Sequence, residues 1–452
     1  MTRTVIASGF AFFCALVFNV LVGSLNAQQD EKPLLTRPLG FYEPLNLVSM
    51  DTTKCRLDLN YNISYDFFVF VRSTTNPNDF IARGEISVEV LDSNKVSIAR
   101  EILRKELHRA SELPQGKGQK SIQGSITFSL NAGPYSLMFE VDDLESNRKM
   151  VFPHPQVKLK KISDSSPGNS DILFVNLVES VNDSVSYVYP VNLGGDVPFG
   201  SHYSILFQSA GSGDSSEVTH FSVYRLDQTK RRTSLFSDSS RPIPKYANRP
   251  LMPLDGDSTL VYTLQKYSAA PRIETYLIPF PSDTLPPGDY DLEVKRSKNS
   301  VARKAFALRW LDKPRSLVTV TIAAEALQYL MSEKEFEEFM KKSPEEMKKQ
   351  FDEFWKKRDP TPTTAYNEAM AEYYARCDYA LENFGTLSQV NGIKTDRGKI
   401  YVLYGAPTKT ERMFIPNSPP REVWDYENLG KRFIFVDETK AGNYKLLSSE
   451  KL

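Results

Sequence analysis

Residues 392–407 read GIKTDRGKIYVLYGAP, and the stretch fits neither an ordinary helix nor an ordinary strand. Gly392 and Gly398 bracket a Thr-Asp-Arg turn, an apolar run follows, and Gly405-Ala406-Pro407 closes it. Thr395 has the residue type and the place of an N-cap, and Asp396 falls in the first turn, where the helix dipole favours a negative charge. Ile400, Leu403 and Tyr404 lie at helical steps, Gly405 is a stop and Pro407 prevents continuation. The spacing predicts a short helix, with a strand as the alternative because KIYVLYG has high β-propensity. Beyond it, EVWDYEN and RFIFVDE alternate as strands and NYKLLS supplies a third, so residues 392–452 are expected to form a helix-plus-β-meander.

Working towards the N-terminus, the hydrophobic period is 3.6. Tyr366, Met370, Tyr373, Cys377, Ala380, Leu381 and Phe384 make the strongest helical stripe in the chain, and Gly385 ends it. Met347, Phe351, Phe354 and Trp355 mark a second face, begun by Ser343 as cap and Pro344 in the first turn. Ala326, Leu327, Leu330 and Met331 mark another. Helices are therefore expected over 323–384, and 320–452 reads as one C-terminal domain. The charges between 333 and 358 are dense but mixed in sign, as on solvated faces.

Before residue 320 the period is two. RLDLNYNISYDFFVFVRS, GEISVEVLD and SIQGSITFSLNAGPYSLMFEVDDLESNRKMV read as strands, after a polar, extended lead-in over 28–50. A Ser-Pro-Gly linker at 163–170 interrupts the pattern, which then resumes with DILFVNLVES, SYVYPVN, YSILFQSA, THFSVYRLD and STLVYTLQKY. GGDVPFG and GSGDSS read as loops. PPGDYDLEV near the end of this second module echoes AGPYSLMFEV in the first: a turn, then Tyr, then alternating apolar residues. The expected architecture is multidomain, mainly β plus α+β, with two tandem Ig-like β-sandwiches at 28–162 and 171–312 preceding the C-terminal domain.

A chain of 452 residues exceeds what one core usually serves. Lys+Arg and Asp+Glu are both 56, and a zero net charge gives no electrostatic footprint for nucleic acid. Aromatic content of 12% favours β-rich architecture. The N-terminus has the layout of a secretory signal: Arg3, an apolar run, then GSLNA ending at Ala27. Cleavage near Ala27 is expected, with a protein that is exported and either soluble or held at a membrane through partners. Cys14 lies inside the apolar run, not where a lipid is attached. Cys55 and Cys377 then remain, expected as two unpaired buried thiols, with a disulfide as the alternative.

The last third of the chain resembles the GWxTD-domain family of exported bacterial proteins. The resemblance runs from about residue 323 to the end. It rests on Trp355-Lys356-Lys357-Arg358-Asp359-Pro360 with Pro362, Asn367-Glu368 and the Tyr/Arg helix ending in Phe384. The name-giving motif is Gly392-Ile393-Lys394-Thr395-Asp396, continued by Arg397, Gly398, Tyr401, Gly405 and Pro407, with Glu422, Trp424 and Tyr426 in REVWDY. Ile393 stands where the family has Trp, so no role that needs an indole there is implied. The resemblance implies export and no established reaction. The order of short helix, Gly-x-Pro and meander also resembles, in layout, the small outer-membrane assembly lipoproteins of the SmpA/BamE type.

The residue types offer little chemistry. His108, His154, His202 and His220 are scattered through β-segments without zinc-ligand spacing, and neither a metal nor another cofactor is expected. GSGDSS has no strand-to-helix context for a nucleophilic serine. Asp396-Arg397 and Asp359 are the best candidates for a polar binding cluster, with Asn367 and Trp424 among the motif residues. The structural alternative is that Asp396 supports a helix start while Arg397 pairs with an acid such as Glu368 to lock helix to meander. Two functions follow: a non-enzymatic periplasmic interaction or assembly protein whose head docks on an unidentified envelope protein, or a periplasmic hydrolase-type enzyme using the Asp396/Arg397 region. An acid pair in a deep pocket would favour the enzyme, and an exposed aromatic patch or open strand edge would favour docking.

Overall fold

The computed structural model describes residues 38–452, apart from 77, 111–119, 164, 183, 211–217, 242, 244–245, 255–258, 268–271 and 298–299. The expected signal segment and the GSGDSS loop lie outside the described residues. Leu39–Leu452 cluster as one unit. Among the described residues the fold is mainly β, with five sheets and the α-helices confined to the C-terminal part.

Two sheets enclose the first core. One orders the strands Gly40–Leu47, Cys55–Ser64 and Ser121–Leu130, and the other is built around Asp79–Leu91 and Gly133–Asp143. Leu57, Leu59, Tyr61 and Ile63 on one side meet Ile86, Val88, Leu137, Phe139 and Val141 on the other. The expected lead-in over 28–50 is corrected here: Gly40–Leu47 is a strand, paired residue by residue with Cys55–Ser64. Its Pro44 is tolerated because the strand lies at the sheet's edge.

A seven-stranded and a five-stranded sheet enclose the second core, where Phe174, Phe207 and Tyr276 face Phe221, Tyr290, Leu292 and Phe306. GGDVPFG is not wholly a loop, since Val197–Pro198 pairs in parallel with Leu308 and Arg309. Within the expected linker, Gly168–Asn169 pairs with Ser209 and Ala210. The sequence echo between the modules is a structural one. Gly133 and Gly288 open equivalent strands with φ of +158° and +157°. Tyr135 and Tyr290 then each donate their hydroxyl to a backbone carbonyl four residues upstream, on Asn131 and Pro286.

The strand Cys55–Ser64 is buried on both faces. Its apolar face fills the first core, while Arg56, Asp58 and Asn60 turn towards the second module. There Arg56 donates to Asp58 and to the Leu251 carbonyl, and Tyr262 donates to Asp58 at 3.1 Å and to Asn60 at 2.6 Å. Leu45 and Leu47 join Val188, Leu251, Tyr262 and Leu264 beside it. A strand that alternates like a solvent-facing one is thus a shared inner layer, with its polar face hydrogen-bonded across the junction.

The C-terminal part carries five α-helices, α1 (Val320–Ala326), α2 (Glu333–Met340), α3 (Pro344–Lys356), α4 (Glu368–Phe384) and α5 (Asp396–Tyr404). A four-stranded antiparallel sheet follows in chain order: β1 (Lys409–Met413), β2 (Arg421–Tyr426), β3 (Lys431–Val436) and β4 (Lys445–Lys451). β1 adds to the three strands read from the sequence. α2 and α3 each begin with a full capping box, from Ser332 with Glu335 and from Ser343 with Glu346. Gly385 ends α4 with φ −62°, so it is not a left-handed cap. A Cβ there would stand 2.7 Å from the Val390 carbonyl oxygen, which explains the glycine sterically.

Cys55 and Cys377 are buried and unpaired, as expected from their spacing. No helix among the described residues is long and apolar enough to cross a membrane.

Candidate functional site

The motif 392–407 is a helix start pressed against its neighbours. Gly392 opens a single 3-10 turn, and a Cβ on it would stand 1.9 Å from the Ala380 carbonyl oxygen of α4. A Cβ on Gly398 would stand equally close to the Gly392 carbonyl oxygen. Both glycines are therefore required by close backbone approach. Between them Thr395 is the N-cap, accepting from the Gly398 amide at 3.0 Å while its hydroxyl donates to the Gly392 carbonyl at 2.8 Å. Ile393 is buried in the helical core, where it takes the space of an ordinary aliphatic side chain.

Asp396 and Arg397 tie this helix start to the sheet. A carboxylate oxygen of Asp396 accepts from the Leu446 amide of β4 at 2.8 Å. Arg397 pairs with Glu422 of β2 at 3.2 Å and donates to the Gly442 carbonyl at 3.3 Å. Its guanidinium lies 4.4 Å from the Tyr444 ring centroid and 5.2 Å from that of Phe384. The expected partner Glu368 is replaced by Glu422; Glu368 instead accepts from Thr361 at 2.6 Å. Glu422 also receives the Trp424 indole N–H at 2.8 Å, so the half-buried Arg397 joins the buried Glu422 and Trp424 in one chain. Glu422 is the residue whose role the sequence reading missed. Its place two residues before Trp424, on the same strand face, is the signal that points to it.

An aromatic cluster surrounds this chain. Tyr401 stacks on Tyr379 with centroids 4.3 Å apart, Phe384 lies against both Tyr401 and Trp424, and Trp424 packs on Phe435. Gly405 ends α5 at φ +80°, and its carbonyl accepts from Tyr426 at 2.8 Å. Pro407 then turns the chain into β1.

Asp359 and Asn367 lie elsewhere, at the junction of α3 and α4. Asp359 accepts from the Thr361 amide at 2.9 Å within its own turn. Asn367 caps α4 through the Met370 amide and donates to the Trp355 carbonyl, both at 2.8 Å, joining the end of one helix to the start of the next. The sequence-selected residues thus divide into two structural clusters. Burial also pushes the Cys377 thiol and the Tyr373 and Tyr374 hydroxyls well up, so these groups stay protonated at neutral pH.

Helices and a four-stranded sheet locked together by a Gly-x-x-Thr-Asp helix start, carried on β-rich modules, define the class of protein. The family model for the GWxTD domain matches residues 296–451, so the C-terminal part of the chain is a GWxTD domain. The match begins upstream of Val320, in the strand Gly288–Ser297. No curated protein matches the chain. Among solved structures, a crystal structure of Salmonella alpha-2-macroglobulin reacted with methylamine is similar at 13% identity and a TM-score of 0.15, over 62% of this chain and 17% of that one.

Proposed function

We propose that this is an exported, non-enzymatic protein of the cell envelope, in which two tandem Ig-like sandwiches present a helix-plus-β-meander head to a protein partner in the periplasm or at the outer membrane. The observation that carries the reading is the division of labour in the head. The polar motif residues are engaged internally, Thr395 in a cap, Asp396 on β4 and Arg397 on Glu422. The apolar side chains Phe414 and Ile415, by contrast, stand in solvent, 71% and 58% exposed. An exposed aromatic beside a strand edge is what a docking surface offers, and an Arg–Glu ion pair is not the acid pair a hydrolase would use. The matching tyrosine contacts of Tyr135 and Tyr290 support the Ig-like assignment of the two modules.

Attachment to a membrane would come only through the partner, and the zero net charge supports protein over nucleic acid as the ligand. Affinity isolation of the tagged full chain from its native envelope tests the reading. An envelope protein is expected in fixed proportion to the bait; recovery of the bait alone, or only in the cytoplasmic fraction, would refute it.

A further inference from the structure

The two edges of the head sheet differ. At the β4 edge, the Asp396 carboxylate accepts from the Leu446 amide, so the motif helix occupies a backbone donor there. At the β1 edge nothing comparable is present among the described residues: β1 pairs with β2 alone and all five of its residues are exposed. A short edge bearing lysine is an ordinary protected edge. This one continues directly into Met413, Phe414 and Ile415, which are 40%, 71% and 58% exposed. Unpaired backbone groups and a contiguous apolar segment therefore lie side by side, the combination that strand addition uses: the ladder gives affinity and the side chains give selectivity.

The charges indicate what would be added. Lys409, Arg412 and Arg421 are exposed at this edge. Lys409 pairs at 2.5 Å with Glu411, the one exposed acid on β1 and β2, and Arg412 lies 3.5 Å from Glu422. That leaves Arg421 and the solvent-facing sides of the other two cations to meet an added strand. The acids of β2 are buried, Glu422 paired with Arg397 and Arg412 and Asp425 with Arg432. A second copy of the chain fits poorly. Antiparallel pairing of β1 with itself, centred on Glu411, sets Glu411 opposite Glu411 and brings two cationic edges together.

We propose that the β1 edge, with Phe414 and Ile415 beside it, binds an extended acidic segment of the envelope partner by strand addition. This rests on the docking reading above and specifies its surface and the chemistry of its partner.

The test uses the full chain and short capped, fluorescent peptides of alternating Glu and Val or alternating Lys and Val, followed by anisotropy. The Glu-Val peptide is expected to bind, and the Lys-Val peptide about tenfold more weakly or not at all. Amide groups alternate in direction along a strand, so of Thr410→Pro and Glu411→Pro one removes only an outward donor. That variant should melt like the wild type and lose the Glu-Val peptide. If both proline variants melt early, the exposed pair Lys409→Glu/Arg412→Glu decides, and it should reverse the preference towards Lys-Val.

Failure of the wild type to bind the Glu-Val peptide would overturn the proposal. So would undiminished binding by a stable proline variant, or a dimer in sedimentation that the proline variant dissociates. Recovery of the same envelope partner by wild type and stable proline variant alike would sink the edge while leaving the docking reading intact; recovery by neither would sink that reading.

Discussion

Gly392 and Gly398 bring three backbones together because neither carries a side chain. Each hypothetical Cβ falls 1.9 Å from a carbonyl oxygen, a distance at which backbone must shift, so Gly392→Ala or Gly398→Ala should cost about 3 kcal/mol. Thr395→Ala should cost about 1–2 kcal/mol, because it removes the cap of α5 and the donor to the Gly392 carbonyl. Asp396→Asn should cost least, since an amide oxygen still accepts from Leu446. Trp355 and Trp424 both lie in the head core, so intrinsic fluorescence during denaturant melts of the full chain reads this order. An Asp396→Asn variant weaker than Thr395→Ala would show that the carboxylate charge, and not its geometry, holds β4. The cap at Thr395 was legible in the sequence because capping is local. The partner of Arg397 was not, because Glu422 lies 25 residues on and is brought back only by the pairing of β2 into the sheet.

Elements were legible where burial gives one clean face. α3, α4 and α5 were read from their apolar steps and caps, and β2 and β3 from alternation. β1 was missed because KTERM is exposed along its whole length and so carries no hydrophobic period. Ser97–Ala110 was missed for its dense charge, although it pairs with Asp79–Leu91 along nearly its full length. Cys55–Ser64 was read as a strand, but its polar face looked like one meant for water. That face holds Arg56 and Asp58, both buried. Removing one partner leaves an uncompensated buried charge, so Asp58→Ala should destabilise by about 3–5 kcal/mol. The double change Arg56→Met/Asp58→Leu should cost clearly less than Asp58→Ala alone, which calorimetry of the full chain measures. Equal losses would mean that Tyr262 and Asn60, and not the ion pair, hold the junction.

At the scale of the whole molecule, the head meets the second β-module at an aromatic contact, at a hydrogen bond from the Ala365 amide to the Asp283 carbonyl (2.7 Å), and through a strap. Tyr366 fits between Phe199 and Trp310 and lies over Gly200, where a Cβ would meet its ring at 2.9 Å. The strap is the segment between Trp310 and α1. The Arg315 and Ser316 amides both donate to the Asp378 carboxylate of α4, at 2.5 and 2.9 Å, and the Ser316 hydroxyl donates to the Tyr374 carbonyl at 3.2 Å. The apolar faces of α1, α3, α4 and α5 cover one another and the sheet in a single core that includes no residue of the β-modules. A fragment beginning at Asp312 should therefore unfold cooperatively on its own. One beginning at Val320 loses the strap and leaves Asp378 without its two amide donors, and should be less stable by about 1–3 kcal/mol. Chemical denaturation of the two fragments compares them directly. A fragment from Asp312 that stays molten until residues 171–310 are supplied would show that the Tyr366 contact, and not the head's own core, sets its stability.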